Sequence, residues 1–313
     1  MRRFNNILLV AGDEPGTRTS LDRAAELARN NKARLTLIDV LKGLPPGASE
    51  GGEGPSVDLA MLLVEHRRMQ LEDLISPFKS QGLKVSTEVL VGRPFIEIIR
   101  KTLLSEHDLV IKPAEGGGLR KAGLFGSNDM HLLRKCPCPV WIIKPTKRKE
   151  YAHILAAVDL DPSDDQIGAL NTQIMDLATS MARSEGSQLH VVHAWSLYGE
   201  NMLRVGFGKM PSSKVDGLAM QERDRHTAWL SELLGKYDLD DLSPQVHLLK
   251  GEPKEVLPAV ARSKQVELIV MGTVCRTGIA GLIIGNTAES ILCQADCSVL
   301  AVKPGRFVTP VKL

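Results

Sequence analysis

Short apolar runs alternate along the chain with segments whose apolar residues recur every three or four positions. Continuous apolar runs open each half, ILLV at residues 7–10 and ILAAV at 154–158, and they predict buried strands. A helical segment follows each run, and then a second apolar strand. The predicted helices are residues 18–30 and 166–184, and the predicted second strands are 35–41 and 189–195.

The order of elements then continues identically in both halves. A long irregular stretch leads to a second helix, a third strand, a third helix, a fourth strand, a glycine-containing loop, a fourth helix and a final strand. The second helices are predicted at 59–79 and 217–236, the third strands end at Gly92 and Gly251, the fourth strands are 109–112 and 268–271, and the final strands are 140–143 and 299–302. Strands that alternate with helices indicate an α/β fold with a parallel, right-handed, doubly wound sheet. Ligands of such sheets bind beyond the carboxyl ends of the strands.

The two halves are copies of one unit. A constant offset of 159 residues aligns Gly92 with Gly251 and Lys144 with Lys303, without a gap across the last third of each half. The chain is therefore predicted to contain two tandem domains, residues 1–147 and 150–313. The charged segment TKRKE at 146–150 is interpreted as a solvated linker rather than a patch for nucleic acid.

Composition narrows the class of protein. The chain has 313 residues, 43% apolar and 24% charged, which is typical of a globular protein. The net charge of +2 and the aromatic content of 4% give no reason to expect nucleic acid or an anionic membrane as a partner. No apolar run approaches the ~20 residues that span a bilayer, and the N-terminus does not resemble a signal peptide. We therefore expect a cytoplasmic protein with free thiols at its five cysteines.

The stretch MGTVCRTGIAGLIIGNTAES at 271–290 holds four glycines between an apolar strand and a helix start. Strand, glycine loop and helix form an arrangement that offers backbone N–H groups to a phosphate. The stretch is neither a Walker A loop nor a G-x-G-x-x-G fingerprint. Without further context, a plain strand-to-helix connection that uses glycine for positive φ is an equal alternative.

Each half resembles a universal stress protein domain, and the whole chain resembles the tandem, E-type members. The resemblance rests on an Asp after the first strand, the short apolar tip of the second strand, the glycine loop and a terminal strand ending in V-K-P. It implies two Rossmann-like domains, similar to the adenine nucleotide alpha hydrolases, that form a pseudo-dimer. It also implies that complete members bind ATP through a loop of the pattern G-x2-G-x9-G-S/T.

Neither half completes that pattern. The residues that the resemblance assigns to a nucleotide in the second half are Asp159, Ala194, Met271, Gly272, Cys275, Gly285, Asn286 and Thr287. The weaker set in the first half is Asp13, Val40, Gly116, Gly126 and Ser127. Cys275 stands where a glycine is expected, and Asn286 where Ser or Thr is expected. In the first half Pro113 removes an N–H and Lys112 places a charge under the adenine. We therefore predict a lost site in the first half and a damaged but usable site in the second.

Other polar residues have plainer interpretations. Asp159 could equally cap the helix that follows it. Cys136 and Cys138 form a C-x-C without the second pair that zinc requires, so we expect no metal site. His190 and His193 are separated by three residues, which puts them on opposite faces of a strand, and they are interpreted as ordinary polar residues. No catalytic triad or carboxylate pair stands out, so we expect no enzyme, although the resemblance leaves slow ATP hydrolysis open.

Two stretches are predicted to be irregular, residues 42–56 and 196–213. The second contains several apolar residues and is interpreted as a lid on its own domain, with a cover over an apolar ligand as the alternative. The leading hypothesis is a stress-response sensor that binds an adenine nucleotide in its second half. The rival is a scaffold with vestigial sites that binds an apolar small molecule. The final strands 140–143 and 299–302 are expected to pair antiparallel within a pseudo-dimer, with homodimerisation left open.

Overall fold

The computed structural model describes residues 4–12, 16–43, 59–115, 125–146, 149–161, 165–206, 210–273, 284–305 and 307–313. The chain divides into two compact units. The first contains Met1–Lys149 together with Ser298–Leu313, and the second contains Glu150–Cys297. The contacts assign the last sixteen residues, 298–313, to the first unit. The domain boundaries expected from the sequence, 1–147 and 150–313, remain predictions.

The first unit is a sheet with helices between its strands. Its elements are β1 (Asn6–Val10), α1 (Thr17–Asn31), β2 (Arg34–Leu41), α2 (Leu59–Ser80), β3 (Val85–Val91), α3 (Pro94–Leu104), β4 (Leu109–Pro113), α4 (Ser127–Lys135) and β5 (Val140–Ile143). The strands β3, β2, β1, β4 and β5 lie side by side in that order and run parallel. Every residue of β1 and β4 is buried, as expected for strands covered on both faces.

The second unit repeats this plan. Its elements are β6 (His153–Ala157), α5 (Asp165–Glu185), β7 (Gln188–Trp195), α6 (Glu200–Val205), α7 (Ser212–Leu234), β8 (Gln245–Lys250), α8 (Pro253–Ser263), β9 (Leu268–Gly272) and α9 (Asn286–Gln294). The strands β8, β7, β6 and β9 are neighbours in that order and parallel. The predicted α/β fold with parallel sheets is confirmed.

The handedness of the crossovers decides which helices share a face. Because β–α–β crossovers are right-handed, α1 and α2 lie on one face of the first sheet and α3 and α4 on the other. The Arg18 guanidinium of α1 lies 5.7 Å from the ring centroid of Phe78 on α2, in agreement with this assignment. The strand order reverses between β1 and β4, and in the second unit between β6 and β9. These are the switch points at which open α/β sheets bind ligands.

The tenth strand, β10 (Ser298–Val302), completes the first unit. It pairs antiparallel with β5, with Val299 opposite Ile142, Leu300 opposite Trp141 and Ala301 opposite Val140. All residues of both strands are buried. The antiparallel pairing expected for these two apolar strands is therefore confirmed.

The interpretation of residues 196–213 as an irregular lid is wrong. The stretch contains the helix α6, and α7 begins at Ser212, five residues earlier than expected. Met202 and Val205 are 77% and 75% exposed, so these apolar side chains do not cover a core. Polar contacts hold α6 instead, because Glu200 accepts hydrogen bonds from Arg204 and Lys250. Of the other irregular stretch, residues 44–56 lie outside the described residues.

A strand-to-helix contact differs between the two units. In the first, Asp39 on β2 pairs with Arg67 on α2. In the second, the corresponding positions are His193 on β7 and His226 on α7, whose Nε2 and Nδ1 atoms are 2.8 Å apart. His193 Nδ1 also lies 3.1 Å from the Val158 carbonyl oxygen. Both residues of this contact therefore differ between the units: the first unit has an ion pair, and the second has a pair of histidines.

Three more histidines form a row across the second sheet. His153 Nδ1 lies 3.1 Å from His190 Nε2, and His190 Nδ1 lies 3.2 Å from His247 Nε2. Burial, followed by the charges of His247 and His153, lowers the pKa of His190 to about 4. The row and His193 occupy opposite faces of β7, so the two histidines singled out from the sequence do not form a metal pair.

Replacing His190 by threonine, the residue of the first half at this position (Thr36), should flatten the pH dependence of stability. Unfolded His190 binds a proton below about pH 6.5 whereas folded His190 does so only below about pH 4. The free energy of unfolding therefore falls as the pH decreases through this window. Urea unfolding across the window measures the slope, and the exposed His66→Gln is the control. An unchanged slope in His190→Thr would contradict the assignment.

Candidate functional site

The candidate residues of the second unit gather at the carboxyl edge of its sheet. Asp159 follows the end of β6, Ala194 lies near the end of β7, and Met271 and Gly272 close β9. Gly285 is the N-cap of α9, and Asn286 and Thr287 are its first two residues. Met271 and Gly285 are buried, whereas Asn286 and Thr287 are exposed. Cys275 lies outside the described residues.

A buried asparagine fixes the backbone at Asp159. The Asp159 N–H donates to Asn171 Oδ1 at 3.0 Å, and Asn171 Nδ2 donates to the Asp159 carbonyl oxygen at 2.5 Å. Asn171 is on α5 and is 4% exposed. In the first unit Thr17 on α1 donates to the Gly12 carbonyl oxygen at 2.8 Å in the same way. In both units a helix side chain therefore forms hydrogen bonds with the backbone that follows the first strand. These hydrogen bonds were not predicted from the sequence.

Gly272 leaves room for Leu170 where β9 ends. A Cβ added there would lie 2.6 Å from Leu170 Cδ2, closer than side chains approach. The Gly285 N–H donates to the Thr273 carbonyl oxygen at 3.0 Å, and Thr273 is fully buried. This bond brings the end of β9 next to the start of α9. The first turn of a helix carries N–H groups that have no partner within the helix, and here it stands at the switch point.

The same place in the first unit is filled by charged side chains. The Lys112 ammonium on β4 lies 2.8 Å from Asp129 Oδ1 on α4, and both side chains are buried. Asp129 Oδ2 accepts the backbone N–H of Glu115 at 2.8 Å and that of Gly126 at 3.1 Å. The largest influence on the Asp129 carboxyl is burial, which raises its pKa, while Lys112 opposes this. The carboxylate binds helix-terminal N–H groups as a phosphate would.

Glu115 adds a second carboxylate to this end of α4. Its Oε2 accepts the Asn128 N–H at 3.2 Å, and its Oε1 accepts from Asn128 Nδ2 at 2.7 Å. The side chain covers Gly126, because a Cβ at Gly126 would overlap it. Ser127, one residue further, is exposed, and Val40 is half-buried on β2. Asp13 and Gly116, the other candidates of this half, lie outside the described residues.

The second unit has no carboxylate where Asp129 stands. The offset of 159 places Met271 at the position of Lys112 and Ala288 at that of Asp129. Both are buried and apolar. Glu289 is the acidic residue in the first turn of α9. The two switch points therefore differ in one respect: an internal ion pair fills the first, and apolar side chains line the second.

Other parts of the described structure bear on what the protein could hold. Within the residues that the structure describes, no group of three or more His, Cys, Asp or Glu side chains is arranged to hold a metal ion, and no helix is long and apolar enough to cross a membrane. An open cavity of about 400 Å³ in the first unit is lined by Arg34, Lys84 and His107, among others. It lies at the amino ends of the strands, away from the candidate site.

Comparison with known proteins agrees with this arrangement of strands and helices. The sequence profile of the universal stress protein family matches residues 3–144 and again residues 150–303. The chain belongs to the universal stress protein family. As a universal stress protein with tandem domains, it falls among stress-response proteins that are generally not enzymes.

Its relatives match over the full length. Universal stress protein E of Salmonella typhi is 29% identical over 321 aligned positions, which cover 100% of this chain and 98% of the relative. A homologue of universal stress protein E from Haemophilus influenzae is 25% identical and covers 97% of this chain. A solved structure described as a putative universal stress protein from Pseudomonas aeruginosa has a TM-score of 0.73 at 25% identity, with 97% of this chain and 95% of that chain covered. A universal stress protein from Archaeoglobus fulgidus shares the fold, with a TM-score of 0.65 at 16% identity over 96% of this chain and 99% of that chain.

Removing one partner of the buried pair should be far more costly than removing both. Asp129→Ala leaves the buried Lys112 with only its longer contact to Glu115, whose Oε1 lies 3.6 Å away, and we expect a loss of about 3 kcal/mol in the free energy of unfolding. Adding Lys112→Met gives this universal stress protein the second unit's residues at both positions and should recover most of that loss. Urea unfolding of the full chain, followed by tryptophan fluorescence, measures both values.

The control for this cycle is an exposed ion pair in the same chain. Arg183 and Asp241 are 43% and 54% exposed, so Asp241→Ala should change the free energy of unfolding far less than Asp129→Ala does. A double variant no more stable than Asp129→Ala alone would show that the buried Lys112 charge is not the source of the loss.

Proposed function

We propose that this protein senses an adenine nucleotide, of the ATP type, in its second half, and that its first half does not bind one. The observation that carries the proposal is the difference between the two switch points. Asp129 and Glu115 already occupy the N–H groups at the start of α4. At the start of α9, Ala288 takes the position of Asp129, so that carboxylate is missing. A phosphate would have to displace a bound carboxylate in the first half but not in the second.

The residues around α9 suit the parts of a nucleotide. Met271 offers an apolar surface for a base, where Lys112 would place a charge. Asp159, with its backbone fixed by Asn171, supplies a carboxylate that can accept hydrogen bonds from ribose hydroxyls. Gly272 allows the backbone to approach the phosphates closely. The start of α9 supplies N–H groups and the positive end of the helix dipole. The proposal is one of binding, and it rests on the described residues at the carboxyl edge of the sheet, none of which is arranged as a nucleophile or general base.

Blocking Gly272 should weaken nucleotide binding. Gly272→Val places side-chain atoms against Leu170 and on the surface by which the backbone would approach a phosphate. We expect the Kd for ATP, measured by calorimetry on the full chain, to rise at least about tenfold, which corresponds to about 1.4 kcal/mol. The full chain is used because residues 298–313 belong to the first unit.

A matched glycine provides the control for this experiment. A Cβ at Gly168 on α5 would meet no atom within 4 Å, so Gly168→Ala should leave the Kd unchanged. Equal ATP affinity in the parent chain and Gly272→Val would place any nucleotide elsewhere. Absence of ATP binding in the parent chain would reject the proposal and leave a scaffold without a nucleotide.

Restoring the loop should strengthen binding. Cys275→Gly removes a side chain from the path of the backbone, and Asn286→Ser adds a compact hydroxyl at the start of α9. The double variant should bind ATP more tightly than the parent chain in the same calorimetric titration. A double variant that binds no better would mean that these two residues do not limit affinity.

A further inference from the structure

Two cysteines lie between α4 and β5, at the other end of α4 from the Asp129 ion pair. Cys136 Sγ and Cys138 Sγ are 3.7 Å apart, within hydrogen-bonding distance for sulfur. Cys136 is fully buried, whereas Cys138 is partly exposed. Cys138 Sγ also lies 3.5 Å from the Pro139 carbonyl oxygen. Cys138 is therefore the residue of the pair nearer to solvent, and Cys136 Sγ lies within hydrogen-bonding distance of its sulfur.

A buried lysine of the same unit faces this pair. Lys303 follows β10 and is 4% exposed. Its ammonium donates to the carbonyl oxygens of Leu133 at 2.7 Å and Arg134 at 3.3 Å, in the last turn of α4, and lies 4.6 Å from the centroid of the Phe307 ring. Burial lowers the pKa of Lys303 to about 8, and the two sulfurs oppose that change. The carbonyl groups at the end of α4 thus hold the cation on the same side of the helix end as the dithiol.

The two sulfurs ionise as a unit. Burial by itself would raise the pKa of Cys136, but the hydrogen bond from Cys138 and the charge of Lys303 outweigh burial and lower it. The hydrogen bond to Cys136, followed by burial and the charge of Asp108, raises the pKa of Cys138 well above its usual range. The pair therefore loses its first proton readily, and the remaining proton is shared between the sulfurs. A thiolate is the reactive form of cysteine.

The segment that carries the cysteines can adjust its conformation. A disulfide requires the sulfurs to approach to about 2.05 Å. The sequence CPCP places prolines at 137 and 139, which donate no hydrogen bonds. The flanking backbone is anchored by Cys136 N–H to Leu132 at 2.9 Å and by Val110 N–H to Pro139 at 3.0 Å. Rotation of the Cys136 and Cys138 side chains between these anchors breaks few backbone hydrogen bonds.

We propose that Cys136 and Cys138 form a peroxide-sensitive dithiol that closes reversibly to a disulfide. The buried Cys136 thiolate takes the proton of Cys138, whose Sγ is 3.7 Å away, and Cys138 Sγ attacks one oxygen of a hydroperoxide. The O–O bond breaks, hydroxide leaves and takes that proton from Cys136, and Cys138 becomes a sulfenic acid. The Cys136 thiolate then attacks Cys138 Sγ, the S–O bond breaks and a second hydroxide leaves. With hydrogen peroxide, two thiols and one peroxide give one disulfide and two waters, and a small thiol reductant reverses the reaction.

The chain contains its own comparison. The offset of 159 places Cys297 at the position of Cys138 and Ala295 at that of Cys136. Cys297 is buried, and no second cysteine stands two residues before it. Cys293 is exposed on α9. If exposure alone decided reactivity, peroxide would react first with Cys293. If the dithiol arrangement decides it, peroxide reacts first with Cys136 and Cys138.

Peroxide treatment of the reduced full chain tests the proposal. Remaining thiols are alkylated, and the tryptic peptide beginning at Cys136 is analysed by mass spectrometry. We expect this peptide to lose both alkylation sites together, to decrease by two hydrogens in mass and to recover them after dithiothreitol, before Cys293 is modified. Two thiols that stay reduced while Cys293 reacts, or that pass to sulfinic acids without a disulfide, would overturn the proposal.

Single variants separate the dithiol from a merely reactive cysteine. Cys136→Ala reproduces the second half and should leave Cys138 as a sulfenic acid that a dimedone probe traps. Lys303→Met should slow disulfide formation several-fold at neutral pH, while Lys303→Arg, which keeps the charge, should retain most of the rate. Thermal melts confirm that the variants fold. An unchanged rate in a folded Lys303→Met, or disulfide formation in Cys136→Ala at the same peptide, would show that the cause lies elsewhere.

Discussion

The N–H groups in the first turn of the helix that follows the fourth strand of each unit must find partners other than the carbonyl oxygens of that helix. Its leading N–H groups have no partner within the helix, and the sheet directs them at the switch point. In the first unit the chain supplies the partners itself, as Asp129 and Glu115, and Lys112 offsets the charge of the carboxylates. In the second unit Ala288 and Met271 stand at the positions of Asp129 and Lys112. The difference between the units follows from this one requirement.

The duplication shows that charged residues at these places change in pairs. Lys112 with Asp129 corresponds to Met271 with Ala288, and Asp39 with Arg67 corresponds to His193 with His226. A buried charge that loses its counter-charge costs several kcal/mol, so a single replacement is a poor intermediate. Exchange of both members for apolar or neutral residues restores the balance. The two units have kept one fold because each such contact was rebuilt as a whole.

The periodicity of apolar residues was sufficient to predict the strands and the parallel sheet, since these depend on continuous apolar runs, whereas the antiparallel pairing of β5 with β10 was expected from the resemblance and from the twofold relation of two terminal apolar strands. Contacts between residues far apart in sequence could not be predicted in the same way. Lys112 was correctly seen as a charge in an apolar position, but its partner on α4 depends on how β4 and α4 pack. Asn171 carries no signal as a single residue within a helix. The helix α6 was missed because its apolar side chains face solvent, which removes the usual amphipathic pattern.

The helix α4 links the two functional features of the first unit. It has nine residues, Ser127–Lys135, so about 13 Å separates its ends. Its amino end is held by Asp129 and Glu115, and its last carbonyl groups by Lys303. The proposed disulfide at residues 136 and 138 would form directly after this helix, next to the carbonyl groups that Lys303 holds. In the second unit, Ala288 and Ala295 stand at the positions of Asp129 and Cys136. The two units thus carry different residues at both ends of the same helix: an ion pair and two cysteines in the first, and alanines at the corresponding positions in the second.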